Sequence, residues 1–175
     1  MLFLMCVSAA LGAKGREAGK ARQHSSRGAA LHYLEGRLQR YEQTTWYWER
    51  LTGTPLTVTA GRTLSAMAVS DLQRTVKRWE HRAIRAHRAA EHPPHLAQWM
   101  CIHRYEAAWN DVGSPYWGGL QMSLTFQERY GGWIYRKKGT ADHWSPLEQI
   151  WTAEKALKSR GFWPWPNTAR LCGLI

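Results

Sequence analysis

Long apolar runs are almost absent from this chain of 175 residues. The one candidate is the opening MLFLMCVSAALGA, which as a helix would reach roughly 20 Å, short of the ~30 Å hydrocarbon core of a bilayer. That length excludes a membrane span there. Its small-residue end fits a signal-peptide or anchor-like segment, although no Lys or Arg precedes it. Cysteine is scarce as well: Cys6, Cys101 and Cys172 are the three present. If the opening is removed, two remain, which suits a single disulfide in an exported protein. No internal repeat is visible, so a solenoid or propeller is not expected. Acidic residues are few, 13 against 24 Lys and Arg, for a formal charge of +11.

The positive charge is uneven. Residues 1–92 hold 15 Lys and Arg against 7 Asp and Glu, and residues 93–175 hold 9 against 6. A basic surface attracts polyanions weakly and without sequence preference. Arg74, Lys77, Arg78, Arg82, Arg85 and Arg88 read first as the solvated face of a helix. Weak association with anionic envelope polymers or headgroups is expected from them, and specific nucleic-acid binding is not.

Three stretches divide the chain. Residues 1–28 hold the apolar opening and a polar segment, KGREAGKARQHSSRG, expected to be a disordered linker. Residues 29–92 hold two apolar seams at heptad spacing. Leu31, Leu34, Leu38, Tyr41, Thr45 and Trp48 form one, and Val69, Leu72, Val76, Trp79, Ala83, Ala86 and Ala90 the other. Gly53, Pro55 and Gly61 break the chain between them. An antiparallel helical hairpin is the natural expectation, or a segment that pairs with a helix of a protein partner. Pro93-Pro94 then removes two amide donors and marks a boundary.

After this boundary the pattern predicts helices over 95–109, 120–130 and 145–159, the second stopped by Gly131-Gly132. Ser145, Pro146 and Glu148 form a helix start with Ser as N-cap, Pro at N1 and Glu at N3. The tail GFWPWPNTARLCGLI, with two prolines, excludes a long final helix. Eleven Trp are spread along the chain, suited to cores and to sugar-stacking clefts alike.

Glu106 sits near the end of the first of these helices, just ahead of an aromatic loop. A carboxyl group against indole or phenol rings is poorly solvated and keeps its proton more readily. That property lets a carboxylic acid protonate a glycosidic oxygen near neutral pH. His87, His92, His95, Cys101 and His103 cluster in sequence, but their spacing matches no standard zinc pattern, so neither metal nor cofactor is expected.

In order, the chain carries Cys101, Glu106, Trp109, Tyr116-Trp117-Gly118-Gly119-Leu120-Gln121, Phe126, Tyr130-Gly131-Gly132, Gly161-Phe162-Trp163-Pro164-Trp165-Pro166 and Cys172. This set resembles the transglycosylase-like domain of the resuscitation-promoting factors, within the lysozyme-like superfamily, over about residues 95–175, inside a domain expected at 93–175. The family usually has its cysteine directly before the glutamate, whereas Ile102 to Tyr105 intervene here. The resemblance implies a small, mainly α lysozyme-like domain and a Cys101–Cys172 disulfide. It also implies a secreted or envelope-bound enzyme that cleaves peptidoglycan glycan strands with Glu106 as acid and base. Gln121 would hydrogen-bond the sugar beside the acid. Tyr130 would line the cleft with at least one of the Tyr116 and Trp117 rings, Trp117 belonging either to the cleft or to the core, and Thr125 would face the site. Trp109 reads as core. Asp111, five residues after Glu106 and past the expected helix end, faces either the cleft or solvent and is the candidate second carboxylate, which the family's single-glutamate scheme does not require. A peptidoglycan-binding module of the same fold with weak or lost catalysis is the competing expectation.

Overall fold

The structure, a computed structural model, describes residues 7–59 and 66–175, with side chains from residue 22 onward. It is mainly helical, with six α-helices and one two-stranded ribbon among the described residues. None of these helices is long and apolar enough to cross a membrane. Cys6 and the start of the apolar opening lie outside the described residues. The chain divides into two compact units, Met1–Trp46 with Thr57–Ile84, and Tyr47–Leu56 with Arg85–Ile175.

Helix α1, Val7–Thr52, is continuous through residues 14–28, which were expected to be a disordered linker. The physical reason is local. Ala, Arg, Lys, Glu and Gln are good helix formers, and their polarity asks only that the helix face water. Residues 22–29 are indeed exposed. Gly53, at φ 75°, ends α1 as expected.

The first unit is built on α1 and α2 (Val69–Ala90). Leu34, Leu38, Leu72, Val76 and Trp79 are buried between them. Glu80 accepts from the Tyr41 hydroxyl at 2.6 Å and from Arg37 at 3.3 Å. The two helices do not form the expected antiparallel hairpin. Ala30, Tyr33, Leu34 and Arg37 share a groove with Gln73, Val76, Lys77 and Glu80, so the earlier part of one seam faces the earlier part of the other. The helices therefore run parallel. Trp46, edge-on to Trp79 with ring centroids 6.0 Å apart, anchors the return segment by donating from Nε1 to the Thr57 carbonyl at 2.8 Å.

The second unit begins inside α1, at Tyr47, rather than at Pro93-Pro94. The double proline does end α2, yet Leu51 is fully buried in this unit's core, and Trp151 donates to the Ala90 carbonyl at 2.8 Å. The remaining elements are α3 (Leu96–Tyr105), β1 (Tyr116–Trp117), β2 (Met122–Ser123), α4 (Leu124–Lys138), a 3-10 turn at Ala141–His143, α5 (Pro146–Arg160) and α6 (Pro166–Leu171). Their shared core holds Trp99, Ile102, Leu120, Met122, Phe126, Ile134, Trp144, Ile150 and Trp165. At α5 the expected start is present in full. Ser145 Oγ accepts from the Glu148 amide, and the Glu148 carboxylate accepts from the Ser145 amide at 2.7 Å.

Two expected helix boundaries move. Helix α3 stops at Tyr105 rather than Trp109, with Glu106 as its C-cap. Leu120 to Ser123 belong to a β-ribbon turn and strand, so α4 starts only at Leu124 and then runs through Gly131-Gly132 to Lys138. Gly131 does not stop the helix; it makes room. A Cβ there would stand 2.5 Å from the Trp144 ring. Gly139, at φ 79°, ends the helix instead.

Candidate active site

Glu106 is the first residue past the regular turns of α3. Its N–H still bonds back to the Ile102 and His103 carbonyls, both at 3.2 Å, which fixes the point where the side chain leaves the helix. The carboxyl is half-buried, and its Oε1 accepts from the Thr168 hydroxyl at 2.8 Å. Thr168 lies on α6, a helix too short to hold its place alone. Trp165 fixes one end, packed edge-on to Trp99 and donating from Nε1 to the Leu120 carbonyl at 2.6 Å. Past the other end, Cys172 is bonded to Cys101, with Cα atoms 6.0 Å apart. The disulfide expected from the resemblance is therefore present, with the Ile102–Tyr105 interval accommodated within α3.

The Gly118–Gln121 turn lies against the same helix. Gly118 and Gln121 both have positive φ, 75° and 46°, and the Gln121 amide bonds the Gly118 carbonyl at 3.0 Å. The pairing Tyr116 with Ser123 and Trp117 with Met122 closes the ribbon around this turn. His103 reaches the Gly119 carbonyl from Nδ1 at 3.0 Å and stacks on Trp109, with centroids 3.9 Å apart and planes 21° apart. Trp109 packs against the core as expected. Gln121 donates to Asp111 Oδ2 and to the Gly118 carbonyl, each at 2.9 Å.

No protein-family model matches the chain, and none of the curated proteins matches it.

The geometry gathers some of the expected residues and disperses others. Gln121 and Asp111 are brought into direct contact, on a turn bonded to the helix that carries Glu106. Trp117 is half-buried against the core and Tyr116 is exposed. Thr125 is exposed at the start of α4, where its hydroxyl stands 3.2 Å from Ser123 Oγ. Tyr130 packs on Phe126 with centroids 4.8 Å apart, and its hydroxyl lies 3.5 Å from Ser159 Oγ. Among the described residues, neither Thr125 nor Tyr130 bonds to Glu106 or Gln121.

Four of the five side chains in the His and Cys cluster have separate partners. Cys101 is in the disulfide, His95 stands 3.1 Å from Glu154, His87 packs on Trp48, and His103 bonds Gly119. Among the described residues, no three His, Cys, Asp or Glu form a group that could hold a metal ion.

Three contributors carried no site signal in the sequence. Thr168 is one small polar residue in the tail, and His103 stood out only as a would-be metal ligand. Gln149, inside α5, is fully buried and donates from Nε2 to the Trp109 and Ala141 carbonyls at 2.8 and 2.9 Å.

Proposed function

We propose that the second unit cleaves β-1,4 bonds between N-acetylmuramic acid and N-acetylglucosamine in peptidoglycan, with Glu106 as general acid and then base. The observation that carries this reading is the half-buried Glu106 carboxyl, held by Thr168 at the end of α3, with the Gln121 turn bonded to the same helix. Glu106 protonates the leaving oxygen, and an oxocarbenium-like centre develops at the muramyl C1. The same carboxylate then takes a proton from the nucleophile, either water or the muramyl C6 hydroxyl. Gln121 Nε2 is committed to Asp111 and Gly118, which leaves its Oε1 to accept from a sugar N–H or hydroxyl group.

The disulfide supports an oxidising compartment, hence a secreted or envelope location. The basic first unit suits weak attraction to anionic envelope polymers and contact with a protein partner through residues 29–92.

A second reading has its own support. Ile102 to Tyr105 separate Cys101 from Glu106, a departure from the resembled family, and Asp111 and Gln121 form a bonded polar pair that a bound sugar can meet without any bond being cut. A module that binds glycan and does not cut it fits that arrangement.

Incubation of purified protein with sacculi, followed by mass spectrometry of the soluble products, separates the readings. Wild type is expected to release muropeptides and Glu106→Gln to release almost none. Equal release by both removes Glu106 from the mechanism. Retention on sacculi without release by either leaves the binding module.

A further inference from the structure

His103 stands one helical turn before Glu106, in the last turn of α3. Its Nδ1 is 3.0 Å from the Gly119 carbonyl oxygen. A carbonyl can only accept, so Nδ1 carries a hydrogen and donates, whether the ring is neutral or protonated. The Trp109 stack fixes the ring plane that this bond needs. Gly119 fits because it lacks a side chain: a Cβ there would stand 2.7 Å from His103 Nδ1 and 2.6 Å from the Trp109 ring. Gly118 packs closely against α5, where a Cβ would stand 2.5 Å from Gln149 Oε1. Gln149 Nε2 in turn holds the Trp109 carbonyl.

The backbone of α3 and Thr168 set the place of Glu106. The turn sets the places of Gln121 and its partner Asp111. Among the described residues, the His103 bond to Gly119 is the one hydrogen bond joining α3 to the Gly118–Gln121 turn.

We propose that His103 is a positioning residue for the reaction at Glu106, latching the turn that carries Gln121 to the helix that carries the acid. This rests on the glycan-cleaving reading. Bond cleavage demands alignment of acid and substrate within fractions of an ångström, whereas ground-state affinity is spread over many contacts along a strand. Releasing the latch therefore falls mainly on kcat.

The test compares His103→Phe, which keeps a ring for Trp109 but has no donor, with His103→Asn, whose Nδ2 lies at the same bond distance from Cβ as the lost Nδ1. Initial rates of muropeptide release across a range of sacculus concentrations give kcat and KM. Thermal unfolding shows that each variant is folded at the assay temperature. The phenylalanine variant is expected to lose tenfold or more in kcat with KM within about twofold of wild type, and the asparagine variant to recover most of the loss. A phenylalanine variant with wild-type kcat overturns the proposal, as does an asparagine variant that is folded but no better.

Glu106→Gln serves as the baseline. Wild-type release no greater than this baseline means that the glycan-cleaving reading itself has failed. The latch is then judged by hydrogen exchange at the amides of residues 118–121. Faster exchange in His103→Phe than in His103→Asn supports it, and equal exchange in the two overturns it.

Discussion

The hydroxyl of Thr168, on the last helix, donates to Oε1 of Glu106, at the end of α3, across 62 residues of sequence. As Glu106 passes its proton to the leaving oxygen the carboxyl becomes anionic, and a hydrogen bond to a charged group contributes about 1.5–3 kcal/mol. Thr168→Val keeps the shape and removes the donor. It is expected to lower the rate of muropeptide release by about tenfold or more, if that bond is worth as much to the transition state. Thr168→Ser, which restores the hydroxyl, should stay close to wild type. Rates measured on sacculi with all three proteins check this; a valine variant as fast as wild type would detach Thr168 from the chemistry.

The Cys101–Cys172 bridge closes a loop with a sequence separation of 71. Loop-closure entropy for that length corresponds to about 4 kcal/mol in the unfolded-chain account. Cys101→Ser with Cys172→Ser should therefore lower the Tm of the second unit by roughly 15 °C or more. Calorimetry of the oxidised, reduced and doubly substituted proteins tests it, and the reduced and substituted proteins should agree.

Adjacent glycines in α4 should respond with opposite signs. Gly131→Ala drives a Cβ to within 2.5 Å of the Trp144 ring, which is itself buried and cannot retreat. Overpacking of this kind costs about 1–3 kcal/mol. At Gly132 the nearest atom to a new Cβ is the flexible Arg136 guanidinium at 3.5 Å. Alanine there should add about 0.5–1 kcal/mol through reduced backbone entropy in the unfolded chain. Two melting curves decide both.

Glu148 makes the fold acid-sensitive. Burial alone would raise its carboxyl, but hydrogen bonds from Lys138, from the Tyr47 hydroxyl and from the Ser145 amide outweigh that and hold it below the usual carboxylate range. Burial and the same carboxylate push the Tyr47 phenol upward. The unfolded chain takes up a proton on this Glu near its ordinary value of about 4.3, and the folded chain only lower. Stability from this group is thus complete at neutral pH and drains away as pH falls through the folded value. Wild-type Tm should drop more steeply below about pH 4.5 than that of Glu148→Gln, which starts lower and has less to lose. Parallel slopes would assign acid sensitivity elsewhere.

Local signals in the sequence were legible where their physics is local. Ser145, Pro146 and Glu148 announce a helix start because each answers a backbone requirement within one turn. The stop at Gly53 and the break at Pro93-Pro94 are of the same kind. Heptad seams on α1 and α2 revealed which faces would be buried but not the direction of pairing, since a seam reads alike from either end. Gly131-Gly132 looked like a terminator because the space demanded by Trp144 comes from a distant segment. At the candidate site, Glu106, Gln121 and the cysteines were visible through an ordered motif set. Thr168 and Gln149 were not, because each acts on groups dozens of residues away.

The two compact units interleave along the chain, so no single cut separates them. A fragment starting at Pro93 would lack Leu51 from its interior, deprive Glu148 of Tyr47 and leave the Trp151 indole without its Ala90 acceptor. The covalent path from Leu56 to Arg85 runs through Thr57–Ile84 of the other unit. Any fragment meant to carry the glutamate-bearing core must therefore include Tyr47–Leu56 as well as Arg85–Ile175.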